Sequence, residues 1–321
     1  MSAARGLVLA LVGLALTGLV LAWTMLGSAT VAKDTSFTIP AGASVASVAD
    51  KLEAEGLVSS ASGFMLRARI FGSDAPIQAG EFKLTPDMSQ SDILSAFQSG
   101  DVIRRFVTIP EGMPSILVGE RLRAEPLLSG EVAVPPEGSI LPDTYAFERG
   151  QSRASLVEQT QAAMDKALAE EWAKRGPRIA VSTMREALVL AAIVEKETGK
   201  PEERRMVAGL YSNRVRTGMK LQADPTIIYP LTKGKPLGRR IRQSEIAAVN
   251  GYNTYTRVGL PEGPITNPGR DSIAAVMNPE NTGALFMVAD GTGGHWFAAT
   301  LAEHNANVAK WYAIRRERGE M

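Results

Sequence analysis

The chain has 321 residues, of which 45% are hydrophobic and 21% charged, with a formal net charge of +1. That composition is globular, the length suffices for two domains, and the near-neutral balance provides no field for nucleic acid. Cysteine is absent, which excludes a disulfide framework, thiolate metal sites and a cysteine nucleophile.

Residues 6–26 carry no charge. As a helix, a run of that length spans a hydrocarbon core. Arg5 and the amino terminus are positive on its short side, which places that end in the cytoplasm. We therefore expect a cytoplasmic tail at 1–5 and a single transmembrane anchor in the inner membrane at 6–27, with Trp23 near the interface. The bulk of the chain is then periplasmic. Thr30-Val31-Ala32 is a passable cleavage site, so a cleaved signal peptide is the competing reading. The apolar run is longer than an ordinary signal core, which favours a retained anchor.

After the anchor, Phe37-Thr38-Ile39-Pro40-Ala41-Gly42 reads as a strand and turn. Val45, Val48, Ala49 and Leu52 then fall at helical spacing over 44–55, and Gly56 stops that helix. A related signature recurs as Phe106-Val107-Thr108-Ile109-Pro110-Glu111-Gly112, again followed by an amphipathic stretch to about 124. Between them, 80–84 predicts a strand, and 92–97 part of a helix closed by Gly100. These strand–turn–helix units are too irregular for a solenoid. They suit a small α+β module that binds a partner or a polymer.

Residues 131–149 are rich in proline and predict irregular chain, whereas 152–175 predict a charged amphipathic helix. Pro201 suits the first turn of a helix that Gly218 ends. Residues 285–289 and 295–300 predict a hairpin around Asp290-Gly291-Thr292-Gly293-Gly294, and the last helix runs over about 302–316.

Glu195 is the leading chemical candidate. Thr183 and Glu186 make a capping box, and from Ala187 to Val194 no side chain is polar, so this helix is buried. Leu188, Ala191 and Ala192 share a face with Glu195. Desolvation on such a surface favours a protonated carboxyl, which lets a Glu serve as an acid near neutral pH. The alternative from this helix alone is a Glu that turns to water or pairs with an Arg.

Four later segments are polar, aromatic and turn-rich together: Asn213-Arg214 with residues 219–226, Tyr252-Asn253-Thr254-Tyr255, residues 259–269, and Gly293-Gly294-His295-Trp296-Phe297 with Glu303-His304. Aromatic faces with amides and hydroxyls are what a sugar-binding cleft needs. Taken singly, each also reads as an ordinary loop or core segment.

In order and spacing, these segments resemble the YceG-like family of endolytic murein transglycosylases over about residues 138–308. The shared pattern is the Ile193-Val194-Glu195-Lys196-Glu197-Thr198 helix, then Met219 to Thr226, the Tyr-Asn-Thr-Tyr run, the Gly-Leu-Pro segment and the Gly-x-His-x-Phe hairpin. Pro142-Asp143-Thr144-Tyr145 also looks like a family segment. Val215 stands where Leu is usual and Glu262 where a second Pro is usual.

The resemblance implies an α+β chain: the N-terminal transmembrane helix, a small LysM-like α+β module at 36–104, and a mixed α+β catalytic domain at 105–321. It implies non-hydrolytic cleavage of peptidoglycan between N-acetylmuramic acid and N-acetylglucosamine, leaving 1,6-anhydro ends, with Glu195 as general acid and base. Gln222, Asp224, Thr226, Tyr252, Asn253, Tyr255, Asn267 and His295 are expected to contact substrate, with Glu197 structural. Peptidoglycan strands, the inner membrane and cell-wall synthases are the expected partners, with no nucleic acid. No cofactor is expected, and two histidines, His295 and His304, are a weak metal signal. A hydrolytic muramidase using Asp224 as a second carboxylate and a non-catalytic peptidoglycan-binding scaffold are the alternatives.

Overall fold

The structure is a computed structural model that describes residues 2–25 and 29–320. Helix α1, Ser2–Met25, contains residues 6–25 of the uncharged run. Among the described residues no helix is long and apolar enough to cross a membrane. Residues 26–28 and the side chain of Trp23, which the anchor reading includes, lie outside the described residues.

The chain is mixed α+β with small two-stranded sheets, and it divides into two compact units. The first comprises 1–105 with a return segment at 146–149, and the second comprises 106–145 and 150–321.

In the first unit, β1 (Thr35–Ile39) pairs antiparallel with β2 (Gly80–Leu84), Phe37 opposite Phe82. Between them lie α2 (Val45–Ala54) and α3 (Ala61–Phe71), and α4 (Gln90–Ser99) follows. Ser44, Ser60 and Ser89 each accept a hydrogen bond from a first-turn N–H, which starts these three helices. Helix α3 was not expected. Most of its side chains are apolar, but Met65, Leu66 and Ile70 are exposed, so no single apolar face marks it; Phe64 holds it, fully buried in the same core as Leu52 and Phe97. The ring of Phe97 stacks on Phe37 at 5.6 Å and meets Phe82 edge-on at 4.8 Å. Glu81 is 2% exposed and is held by Arg105 at 2.6 Å and Arg149 at 2.9 Å. Burial would raise its pKa, but the bonds from Arg149 and Arg105 hold it down at about 2.

The second unit takes in all but the first residue of β3 (Arg105–Thr108), α5 (Ser115–Ala124) and the first two residues of β4 (Thr144–Phe147). The proline-rich segment is thus not wholly irregular. Thr144 meets Thr108 side chain to side chain at 2.9 Å, and the Ile109 N–H donates to the Asp143 carbonyl at 2.8 Å. Helices α6 (Arg153–Ala173), α7 (Met184–Glu197) and α8 (Arg204–Arg216) follow, α8 entered through a 3-10 turn at Pro201–Glu203. Next come α9 (Pro225–Thr232), α10 (Gln243–Ile246), α11 (Arg270–Met277), the hairpin β5 (Phe286–Ala289) and β6 (His295–Ala298), and α12 (Leu301–Glu317).

Helix α7 is the centre of this unit. Its capping box forms as expected, Thr183 with Glu186. Ala187, Leu190, Ala191, Ala192, Ile193 and Val194 are fully buried among α8, α9 and α11. Burying each large side chain contributes about 1.5–3 kcal/mol, so the last turn of α7 is a rigid base for what it carries.

Candidate active site

The Glu195 side chain is half-buried at the end of α7. Its Oε2 accepts a hydrogen bond from the Gly269 N–H at 2.9 Å. Gly269 is the N-cap of α11, so this carboxyl faces the positive end of a helix. Two glycines lie at the approach, and Gly269 leaves room for it. A Cβ on Gly269 would lie 2.1 Å from Glu111 Oε1. Gly112, at φ +69°, would place a Cβ 3.4 Å from Glu195 Cγ.

Sequence reasoning missed Glu111, treating it only as part of a repeated turn. Its Oε2 lies 2.6 Å from Arg204 Nη2, and the other arm of Arg204 reaches Asp271 at 3.1 Å. Burial raises the Glu111 pKa, the nearby charge of Glu195 raises it further, and Arg204 opposes both. The one sequence signal was the acid in this copy of the turn where the first copy has Ala41.

A cavity of about 540 Å³ opens beside Glu111, with Met113, Pro114, Lys196, Ile228 and Leu237 also among its walls; Glu195 is not one of them. Its apolar surfaces suit the face of a sugar ring, and Lys196, whose Nζ lies 3.4 Å from the Gly112 carbonyl, supplies charge.

The expected binding residues fall into groups. Gln222 and Asp224 are exposed, and Gln222 has φ +52°, an uncommon conformation for a residue with a Cβ. The Tyr255 hydroxyl donates to Asp224 Oδ1 at 2.6 Å. Thr254 latches this segment by accepting from the Ala223 N–H at 3.1 Å and meeting Thr226 at 2.8 Å. Thr226 is fully buried and also donates to the Ala223 carbonyl at 2.6 Å. Asn253 is fully buried as well, its amide donating to the carbonyls of Glu245, Ile246 and Ala248. The Tyr252 ring packs 4.8 Å from that of Tyr229.

Asn267 joins the Glu195 group from within. It is fully buried, accepts from the Ile140 N–H at 3.0 Å, and donates to the Met113 carbonyl at 2.9 Å and Ser115 Oγ at 3.0 Å. Its own carbonyl accepts from the Gly112 N–H at 3.0 Å. His295 belongs to a third group: its Nδ1 lies 2.8 Å from Glu203 Oε2, which also accepts from Thr198 at the end of α7.

Glu197 points into the protein. It is pushed up to about 7, by burial first and the charge of Asp224 second, and its Oε1 has no hydrogen-bond partner. Tyr211, buried beside it, is raised as well. Arg214 lies near the same group, 7% exposed, and donates to the Leu285 carbonyl at 2.6 Å and the Leu221 carbonyl at 2.5 Å. Among the described residues no cluster of His, Asp or Glu is arranged to hold a metal ion.

A half-buried carboxyl held on a backbone N–H is a group suited to acid–base chemistry. The model of the YceG-like family matches residues 37–310, and the chain belongs to that family. It is 30% identical to a Streptococcus pneumoniae (strain D39) protein named endolytic murein transglycosylase, over 85% of this chain and 57% of that one. It is 25% identical to the Bacillus subtilis (strain 168) protein of the same name, over 88% and 86%. The chain thus spans 57% of the length of the pneumococcal relative. The crystal structure of a yceG-like protein from Listeria monocytogenes superposes with a TM-score of 0.52 at 27% identity, covering 85% of this chain and 99% of that one.

Proposed function

We propose that this chain is an endolytic lytic transglycosylase of peptidoglycan glycan strands, with Glu195 as its acid and base. The observation that supports this most is the Glu195 carboxyl, presented by a rigid apolar helix and oriented by the Gly269 N–H, with its chain neighbour Lys196 in the wall of the cavity. The relatives' printed names point the same way.

Protonated Glu195 gives its proton to the oxygen between N-acetylmuramic acid and N-acetylglucosamine as the bond to the muramoyl C1 breaks. The 6-hydroxyl oxygen of the same muramoyl residue then bonds to C1. Glu195, now a carboxylate, takes that hydroxyl's proton. No water is consumed, and the new end is a 1,6-anhydro sugar. One residue serves both steps because they occur in succession.

Gln222, Asp224, Tyr252 and Tyr255 are proposed to touch the strand. Thr226, Asn253 and Asn267 shape the loops that carry them, and His295 fixes the hairpin at the end of α7. The order β1–α2–α3–β2 supports a LysM-like glycan-binding module. The uncharged run in α1, with Leu7, Leu9 and Leu14 exposed, supports an inner-membrane anchor with the remainder periplasmic. Partition of the full chain with the membrane after alkaline extraction tests that placement. Cell-wall synthases are the proposed protein partners.

Mass spectrometry of uncrosslinked glycan strands tests the activity, with the unmodified protein beside Glu195→Gln. Anhydro ends from the unmodified protein alone are expected. Hydrated reducing ends would transfer the reading to a muramidase, for which the exposed Asp224 is the candidate second carboxylate. Binding without cleavage by either protein would leave a scaffold.

A further inference from the structure

We propose that Glu111 is a second carboxylate of this active site, a positioning residue whose charge and packing govern the proton on Glu195. The inference rests on the transglycosylase reading above.

The two carboxylates bracket one glycine. Gly269 donates its N–H to Glu195, and Glu111 Oε1 occupies the space where a Gly269 side chain would begin. A Cβ on Gly112, next to Glu111, would stand 3.4 Å from Glu195 Cγ. The Glu111 side chain is 43% exposed and reaches the cavity wall, while Arg204, its partner, is 11% exposed.

The charged groups around Glu111 are few. Helix α7 offers Glu195 and Lys196, α8 offers Arg204, and α11 offers Asp271. Arg270 on α11 is engaged by Glu170 and Glu171 of α6. Two neighbouring carboxyls resist being ionised together, so they titrate as a pair. Arg204 favours charge on Glu111, against burial and the neighbouring Glu195 charge, and a charged Glu111 would favour the protonated Glu195 that the first step requires. Once Glu195 has given up that proton, repulsion between the two anions favours its recapture from the 6-hydroxyl.

The test measures kcat, KM and the pH–rate profile of anhydro-end formation for the unmodified protein, Glu111→Gln and Glu111→Asp. Glu111→Gln keeps the shape and an acceptor for Arg204 but removes the charge. It is expected to lose about 10²-fold in kcat with KM little changed. Its alkaline limb should move about one unit toward acid, since the like charge that favoured the proton is gone. Glu111→Asp should keep the limb in place and recover part of the rate.

An unchanged rate and profile for Glu111→Gln would overturn the inference. Equal losses in both variants with no movement of the limb would also overturn it, as a merely structural ion pair behaves that way. Carboxyl-carbon NMR of the unmodified protein needs no Glu111 variant to fold. There the Glu111 signal should titrate in two steps that collapse to one in Glu195→Gln, and a single step in both proteins would count against coupling. Absence of cleavage by the unmodified protein would instead remove the transglycosylase reading itself, and this inference with it.

Discussion

Thr38-Ile39-Pro40-Ala41-Gly42 and Thr108-Ile109-Pro110-Glu111-Gly112 fold into the same turn, one in each compact unit. In each the Ile is buried, at 3% and 1% exposure, and the glycine has positive φ, +77° and +69°. In each the residue after the glycine donates its N–H to the proline carbonyl at 3.2 Å. The surroundings differ. A Cβ on Gly42 would meet nothing within 4 Å, whereas one on Gly112 would meet Glu195. The first turn only reverses the chain and anchors a strand. The second uses the same backbone to bring an acid to a second acid. Local sequence therefore sets the turn, and what packs against it sets its chemical meaning.

The sharpest way to break the comparison is Glu195→Gln, which strips the second turn of its chemistry and leaves its fold. Anhydro ends should fall by about 10²–10⁴-fold, with the thermal midpoint nearly unchanged, read by mass spectrometry and calorimetry. A large loss of stability would mean that Glu195 belongs to the scaffold of its unit.

Glu81 allows the converse experiment in the first unit, where the buried carboxylate has a structural setting. Its pKa of about 2 lies below the ordinary 4.5, so its contribution is present above about 4.5 and is lost as pH falls toward 2. Glu81→Gln should destabilise the first unit by about 3 kcal/mol at neutral pH, with the deficit shrinking in acid. Hydrogen exchange of the β1–β2 amides against pH reads this directly.

Glu197 sharpens the contrast within one helix turn. Its pKa, raised to about 7, means that the unfolded chain releases this proton first, so stability falls as pH rises from about 4.5 through 7. Glu197→Gln should be more stable than the unmodified protein above pH 7, by about 2–3 kcal/mol, and equal to it in acid. Urea titrations at several pH values measure the gap, and a constant gap would refute the buried-acid account.

The smallest effect compares the two glycines. Gly42→Ala and Gly112→Ala should each cost about 1 kcal/mol for the left-handed backbone. Only the second should also reduce cleavage, because its methyl would come into contact with Glu195 Cγ at 3.4 Å. Paired melts and cleavage assays separate the two effects.

Much of this arrangement was legible in the sequence. The capping box, the apolar face of α7 and the hairpin of β5 and β6 follow from local periodicity and turn chemistry, and each forms where expected. Glu111 could not be placed beside Glu195 in this way, because the two meet across Gly269, which lies in a third segment. Helix α11 was missed because it is short and opens on Gly269, whose role is to leave room for Glu111. Thr226, Asn253 and Asn267 were marked as substrate contacts by motif position alone. Motif position does not distinguish a group that faces a ligand from one that builds the loop, and all three are fully buried.

Asn267 also bears on how the molecule ages. Asparagine amides decay when the next backbone nitrogen attacks the side-chain carbonyl, turning the amide into an acid. Here the next residue is Pro268, whose nitrogen carries no hydrogen to release, and the side-chain oxygen already accepts from Ile140. The clamp that joins the Gly112 turn, the start of α5 and the Ile140 segment is thus protected from the commonest chemical wear of its residue type. A negative charge appearing there would be buried against the carbonyl of Met113 and would pull the site apart.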